Sequence, residues 1–231
     1  MKKAWISVLF LVVWLAAAPS ARAFIMINEI LAEPPKNATG DANADGVLSS
    51  GDDEFIELFN PDGLSVDLSG WYLTDKIKTR HIFDTGVLFD PNGIMVVFGG
   101  GTPNIGGING YTASTGSLSL NNSGDVISLF DQNGALINSV TYGKEADKEE
   151  SLTRSPEGEG ESFVLHSTLP QAQGRAYSAG YFTVPPAVIP EEPAPGPPPD
   201  DQAVVPEAGS ILYLTLGIGM LWARELLRFS V

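Results

Sequence analysis

The densest run of oxygen-bearing side chains in the chain is Asp41-Ala42-Asn43-Ala44-Asp45-Gly46-Val47-Leu48-Ser49-Ser50-Gly51-Asp52. Acids and an amide alternate with alanines, a glycine follows, and a hydroxyl and a further acid close the run. On the twelve-residue calcium-loop template, Asp41, Asn43 and Asp45 take positions 1, 3 and 5, and Gly46 is the sharp turn at 6. Val47 offers its backbone carbonyl at 7, Ser49 stands at 9, where water often intervenes, and Asp52 is at 12. A hard cation such as Ca2+ takes about six to eight oxygens at ~2.3–2.6 Å, so closely spaced carboxylates and amides suit it. Leu48, at position 8, is expected to be the buried apolar anchor of the loop. Binding would neutralise a cluster of acids and pin a long insertion between two strands, a structural role.

Two departures shape the expectation. Position 12 carries Asp where the longer Glu is usual, and a strand-like run, Glu54-Phe55-Ile56-Glu57-Leu58-Phe59-Asn60, follows in place of a helix. The loop therefore resembles those of dockerins and related extracellular modules more than a full paired hand. The bland alternative is a solvated Asp/Asn/Gly-rich turn.

Little else in the chain points to chemistry. There is no cysteine, and the two histidines are His81 and His166. His81 lies in Thr-Arg-His-Ile-Phe-Asp, read as a strand edge, and His166 lies near the end of the body; both read as structural or surface residues. Serines and aspartates allow a Ser-His-Asp set on paper, but no G-x-S-x-G elbow occurs. Gly99-Gly100-Gly101 follows a strand without the Lys-Ser/Thr partner of a phosphate loop. Glu29 and Glu57 sit in apolar strands, as expected of buried, hydrogen-bonded structural acids.

The elements that must carry these residues are short strands. Runs at 24–31, 54–60, 66–75, 94–100, 117–120, 125–131 and 135–142 are rich in Val, Ile, Leu and Phe and are separated by Pro-, Asn- and Asp-Gly turns. Asn-Gly and Asp-Gly pairs supply the positive φ of tight hairpins, and Asp131-Gln132-Asn133-Gly134 reads as one. No sustained helical period appears. About seven short strands spaced by turns predict an all-β sandwich or barrel, with Trp71 as a central core residue.

The two ends differ from the body. Lys2 and Lys3, the apolar run Trp5–Ala18 and the small-x-small Ala21-Arg22-Ala23 form a signal-peptide pattern over residues 1–23, with signal peptidase cutting after Ala23. Export follows. Removing Lys2, Lys3 and Arg22, with no acid, takes 13 basic against 28 acidic residues to 10 against 28, a net charge of −18. Such a surface repels phosphate backbones, so nucleic acid is not expected as a partner. The body, 24–183, has the length of one domain. Residues 184–206 form a Pro-rich spacer, and residues 207–231 an apolar segment followed by Arg224 and Arg228.

Two resemblances follow from these residues. Ile27-Asn28-Glu29-Ile30-Leu31, Asp53 to Asn60, Asp67-Leu68-Ser69-Gly70-Trp71-Tyr72-Leu73-Thr74-Asp75, Ser139 to Gly143 and Ser151 to Pro156 resemble a lamin-tail domain of the bacterial secreted kind over about Phe24 to Tyr181. That implies an immunoglobulin-like β-sandwich and a binding module rather than an enzyme. Val205-Pro206-Glu207, the apolar segment and Arg224 resemble a PEP-CTERM sorting tail, with Ala208 where a second proline is usual and Glu225 within the basic end. This implies an exosortase-like sorting protease, a C-terminal membrane helix that anchors the chain at least transiently at the inner membrane, and a destination in the cell envelope, at the surface or in an extracellular matrix. The basic end should stay cytoplasmic.

The first expectation for function is thus a non-enzymatic exported envelope module, calcium-stabilised, serving adhesion, matrix structure or macromolecular binding to a surface polysaccharide or protein. The alternatives are a metal-dependent envelope hydrolase and a carbohydrate-binding module with Trp71 or Tyr72 as the stacking ring.

Overall fold

The computed structural model describes residues 24–182. The expectations for the signal peptide, the spacer and the C-terminal segment therefore lie outside the described residues. Among the described residues no helix is long and apolar enough to cross a membrane.

Twelve strands and four one-turn 3-10 helices make up the described chain. A six-stranded sheet runs in the order β12 (Ser162–Leu165), β11 (Leu152–Ser155), β1 (Met26–Leu31), β2 (Phe55–Phe59), β7 (Ile94–Phe98) and β8 (Asn109–Thr112). A four-stranded sheet runs β10 (Leu136–Tyr142), β9 (Asp125–Phe130), β4 (Tyr72–Thr74) and β5 (Thr79–Ile82). A small ribbon pairs β3 (Val66–Asp67) with β6 (Leu88–Phe89). All pairings are antiparallel except β7 with β8.

The two larger sheets face each other across one apolar core. Ile27, Ile56, Leu58, Met95 and Val97 come from the first sheet, Leu73, Ile127, Leu129 and Val140 from the second. Alternate residues of each strand enter this layer, as the two-residue side-chain period requires. Trp71 is 6 % exposed and packs within it, as expected. The β9–β10 hairpin also forms: Asp131 and Ala135 close it, and Gly134 adopts φ 78°.

The opposite face of the six-stranded sheet is covered as well. Leu31, Phe55, Val96 and Phe98 form a second cluster with Ala42 of the acidic loop and Ala179 of the segment that ends the body. That segment, residues 176–182, is a strap across the sheet. The Tyr177 ring meets Phe55 edge-on, and Phe182 meets Phe59 at 4.7 Å.

Three expectations are corrected. Residues 117–120 form no strand, although Leu118 and Leu120 are buried. Ser119 sits at φ 51° and the Leu120 amide donates to Glu54 Oε2, so this piece is tied to a side chain rather than to a ladder. The run 66–75 is split into β3 and β4 by a turn in which Gly70 takes φ 74°. Trp71, being buried, offers no stacking surface, and the Tyr72 ring is stacked on Phe130 at 5.1 Å.

Candidate metal centre

The loop between β1 and β2 is organised by its own side chains. Asp41 accepts the amide of Asp45 on Oδ1 at 3.2 Å and that of Gly46 on Oδ2 at 3.0 Å. Asn43 Oδ1 accepts the Asp45 amide at 3.0 Å, and Asp45 Oδ1 accepts that of Val47 at 2.8 Å. Each template acid or amide thus folds the backbone over itself, as Asx residues do in turns. Ala44 at φ 55° and Gly46 at φ 86° make the sharp bends this demands. Ser49 Oγ accepts the amide of Asp52 at 3.2 Å.

A floor of three glycines receives the loop. A β-carbon on Gly99 would lie 1.8 Å from the Gly51 carbonyl oxygen, one on Gly100 2.0 Å from Asp52 Oδ1, and one on Gly101 2.3 Å from Asp45 Oδ2. Asn43 Nδ2 donates to the Gly100 carbonyl at 3.3 Å, and the Thr102 amide donates to Asp45 Oδ2 at 3.0 Å. The Gly99–Gly101 run after β7 therefore exists because three template side chains, Asn43, Asp45 and Asp52, rest against it. The sequence contained this signal as a glycine run without a phosphate-loop partner.

The residue that sequence reasoning missed is Asp53. It is fully buried, and it accepts the Asn43 amide on Oδ1 at 3.2 Å and the Ser49 amide on Oδ2 at 2.8 Å. Burial raises its pKa above the ordinary aspartate value, opposed by these amide bonds. Asp53 staples the two ends of the loop together from below. Leu48 departs from expectation in the other direction: it is 48 % exposed, lying over Gly40 rather than in a core. No helix follows the loop, so nothing is placed to bury it. Val47, too, is exposed at 61 %.

Among the described residues, no three His, Asp or Glu side chains gather in a group that could hold a metal ion by themselves. The oxygen set here is mixed: two acids and an amide at its head, then a carbonyl, a hydroxyl and Asp52. All are hard donors of the type Ca2+ takes, but Asp41, Asp45 and Asp52 are not gathered around one point.

A second acidic site lies under the strap. Glu29 and Glu57 are directly opposite each other on β1 and β2, and both are fully buried. Glu29 accepts the Ser178 amide at 3.0 Å and hydroxyl at 2.8 Å, together with the Ser151 hydroxyl. Glu57 accepts Asn28 Nδ2 and the Gly180 amide, each at 2.8 Å. Desolvation pushes Glu29 up to about 7 and lifts Glu57 well above the usual range, where the facing Glu29 adds repulsion. His166 is also fully buried; its Nδ1 pairs with Thr153 Oγ1 at 2.9 Å and stands 3.6 Å from Glu29 Oε1. Burial lowers it to about 4, so it is neutral at pH 7. Serine, histidine and acid do meet here, but they join β1, β11 and the strap inside the protein. His81, on the edge strand β5 as expected, is buried beside Phe83 and accepts the Ser114 amide on Nδ1. Desolvation lowers it to about 4.

The two sheets packed over one core define an immunoglobulin-like domain. The chain belongs to the lamin tail domain family, whose model matches residues 18–144. That family is a structural, non-catalytic one. The match ends ahead of β11 and β12, which nonetheless complete the six-stranded sheet. No curated protein matches the chain.

Proposed function

We propose that this protein is an exported, non-enzymatic module of the cell envelope whose sandwich is stabilised by Ca2+ and which serves adhesion or matrix binding. The observation that carries the calcium reading is the loop itself. Asp41, Asn43 and Asp45 fold the backbone in the order the template requires, on a glycine floor that admits nothing larger. Bound Ca2+ would supply positive charge and cross-links between oxygens, and Asp41, Asn43, Asp45, Val47, Ser49 and Asp52 would hold it. Asp53 would keep the loop's two ends together whether or not the ion is present.

The ends of the chain support the destination. Signal peptidase would cut after Ala23, and the Pro-rich spacer would hold the body away from the membrane while the apolar tail anchors it. Val205, Pro206, Glu207 and Arg224 would be read by an exosortase-like protease, as in the PEP-CTERM tail they resemble, and the body would be a lamin-tail domain of the bacterial secreted type. Calcium is plentiful outside cells at the ~10⁻⁴–10⁻³ M that weak extracellular sites need, so the domain would reach full stability after export.

Calorimetry of the full-length chain tests the site. Calcium at a hundredfold excess over Kd should add about 2.7 kcal/mol of stability, and Asp41→Ala should remove the response. An identical melting temperature in calcium and in chelator would overturn it. Fractionation with mass spectrometry of both termini tests the addresses: a mature protein beginning at Met1 or ending at Val231 would defeat the corresponding cleavage.

A further inference from the structure

Between the one-turn helix after β1 and the start of the strap lies an open cleft of about 600 Å³. Asn37, Thr39, Glu149, Gln173, Arg175 and Tyr181 are among its walls. We propose that this cleft binds an uncharged oligosaccharide. The proposal gives a ligand class to the binding role above and rests on that non-catalytic reading, while using none of the calcium-loop residues.

Its size is that of a small-molecule site, since such pockets run from ~300 to 1,000 Å³. Its chemistry mixes an aromatic ring with amides and a guanidinium. Tyr181 is 42 % exposed, and Arg175 lies over one face of its ring at 5.3 Å, with Nη1 3.1 Å from the hydroxyl. A sugar ring asks for this combination: an apolar face for its C–H groups and planar hydrogen-bonding side chains for its hydroxyls. Asn37 commits its Oδ1 to the amide and hydroxyl of Thr39, which leaves its NH2 as the group to offer a ligand. Gln173 and Asn37 are both exposed.

The carboxylate of the cleft is already paired. Glu149 pairs with Lys36 at 3.2 Å and accepts its backbone amide, and these contacts hold its carboxyl below the usual range. Arg175 donates Nε to the Ala172 carbonyl at 3.2 Å as well as meeting Tyr181. Arg175 keeps its charge but spends donors on these neutral partners, and the excess of acid over the whole chain opposes polyanions.

Backbone strain marks the same place independently. Glu149 at φ 54° and Gln173 at φ 51° are two of the five non-glycine residues with positive φ among the described residues, and both line this cleft. Gln173 closes the turn Pro170–Ala172, a position where glycine or asparagine is usual. A costly side chain kept at such a position points to use, because strained residues concentrate at binding sites. The cleft is anchored as well: Tyr177 donates its hydroxyl to the Thr39 carbonyl at 2.6 Å, and burial raises its pKa to about 12, which keeps it a donor. Most of the walls lie beyond residue 144, where the family match ends.

The test is titration of the full-length chain, in calcium and in a detergent free of sugar, against tetrasaccharides of glucose, galactose and N-acetylglucosamine, with oligogalacturonate as the anionic control. At least one neutral tetrasaccharide should bind saturably, and oligogalacturonate should not. Gln173→Gly, which removes the side chain and relieves the backbone, should weaken binding about tenfold or more with no loss of melting temperature. Tyr181→Ala should do the same, with Asn37→Ala in its place if that variant does not fold. No binding of any neutral tetrasaccharide, preference for the anionic one, or binding unchanged in these variants would overturn the proposal. A calcium response without sugar binding removes the cleft and leaves the loop standing; sugar binding without a calcium response does the reverse.

Discussion

The acidic loop and the acidic pair under the strap use the same functional group in opposite ways. In the loop, Asp41 and Asp45 are half-exposed and, apart from the Thr102 amide on Asp45, accept amides from residues two to five positions away. In the sheet, Glu29 and Glu57 are fully buried and accept from Ser151, Ser178 and Gly180, more than 120 residues distant for Glu29's partners and for Gly180. Local partners leave the loop acids at the surface, where the proposed calcium site needs them. Remote partners consume the sheet acids and make them a latch between the sheet and the strap, at the cost of a desolvation that favours their neutral forms.

The largest effect is expected from below the loop. Gly101→Ala would place a β-carbon 2.3 Å from Asp45 Oδ2 at a backbone with φ 71°. Overpacking and a forbidden conformation together should cost about 3 kcal/mol, read by chemical denaturation, and the calcium response should vanish although no proposed ligand is altered. Retention of both would mean that the floor is not rigid.

The latch is tested by pH. Because the folded pKa values of Glu29 and Glu57 lie above the unfolded one, their contribution is fully present below about pH 4.5 and is lost as pH rises, through about 7 for Glu29. Glu29→Gln keeps an acceptor for Ser151 and the Ser178 amide, and its new NH2 can donate to the Ser178 hydroxyl. It should therefore stabilise the protein at pH 8, by on the order of 2 kcal/mol, with little effect at pH 4.5. The buried histidines run the other way. With folded pKa values depressed to about 4, His81 and His166 contribute stability above pH 6.5 and lose it as pH falls through 4. A melting temperature for Glu29→Gln that tracks wild type from pH 4.5 to 8 would show that the carboxylate is not strained.

A smaller effect separates the staple from the proposed ligands. Asp53 uses both oxygens on backbone amides, whereas asparagine has one acceptor to offer. Asp53→Asn should cost about 1–2 kcal/mol in chelator, yet keep a calcium-dependent rise in melting temperature, measured by calorimetry at both ligand extremes. Loss of that rise would make Asp53 a ligand in place of Asp52.

The contrast between the two regions also explains what could be read from sequence. The loop was legible because its partners are neighbours: spacing alone places Asp41, Asn43 and Asp45 around Gly46. The hairpin at Asp131–Gly134 was legible for the same reason, as was the alternation that buries Trp71. The Glu29–Glu57 pair could be read as buried but not as a pair, since the register of β1 on β2 is set by the sheet. The strap left no local pattern, because its hydrogen bonds come from Ser178 and Gly180 to strands far back in the chain. Leu118 and Leu120 misled because an apolar alternation can fill a core without joining a ladder.

Leu48 offers the smallest effect and the most direct check on the difference between this loop and a paired helical hand. In a hand, position 8 is held against a partner and its loss opens the core. Here the side chain lies over Gly40 with about half its surface in water. Its transfer energy is already largely forgone, so Leu48→Ser should change stability by no more than about 0.5 kcal/mol, as surface substitutions do. Calcium affinity should also hold, because Gly46 and the amide bonds of Asp41 and Asp45 fix the bend without it. A loss of about 2 kcal/mol or more, the scale of a buried leucine, would mean that position 8 is anchored after all and that the loop closes on a partner face when loaded.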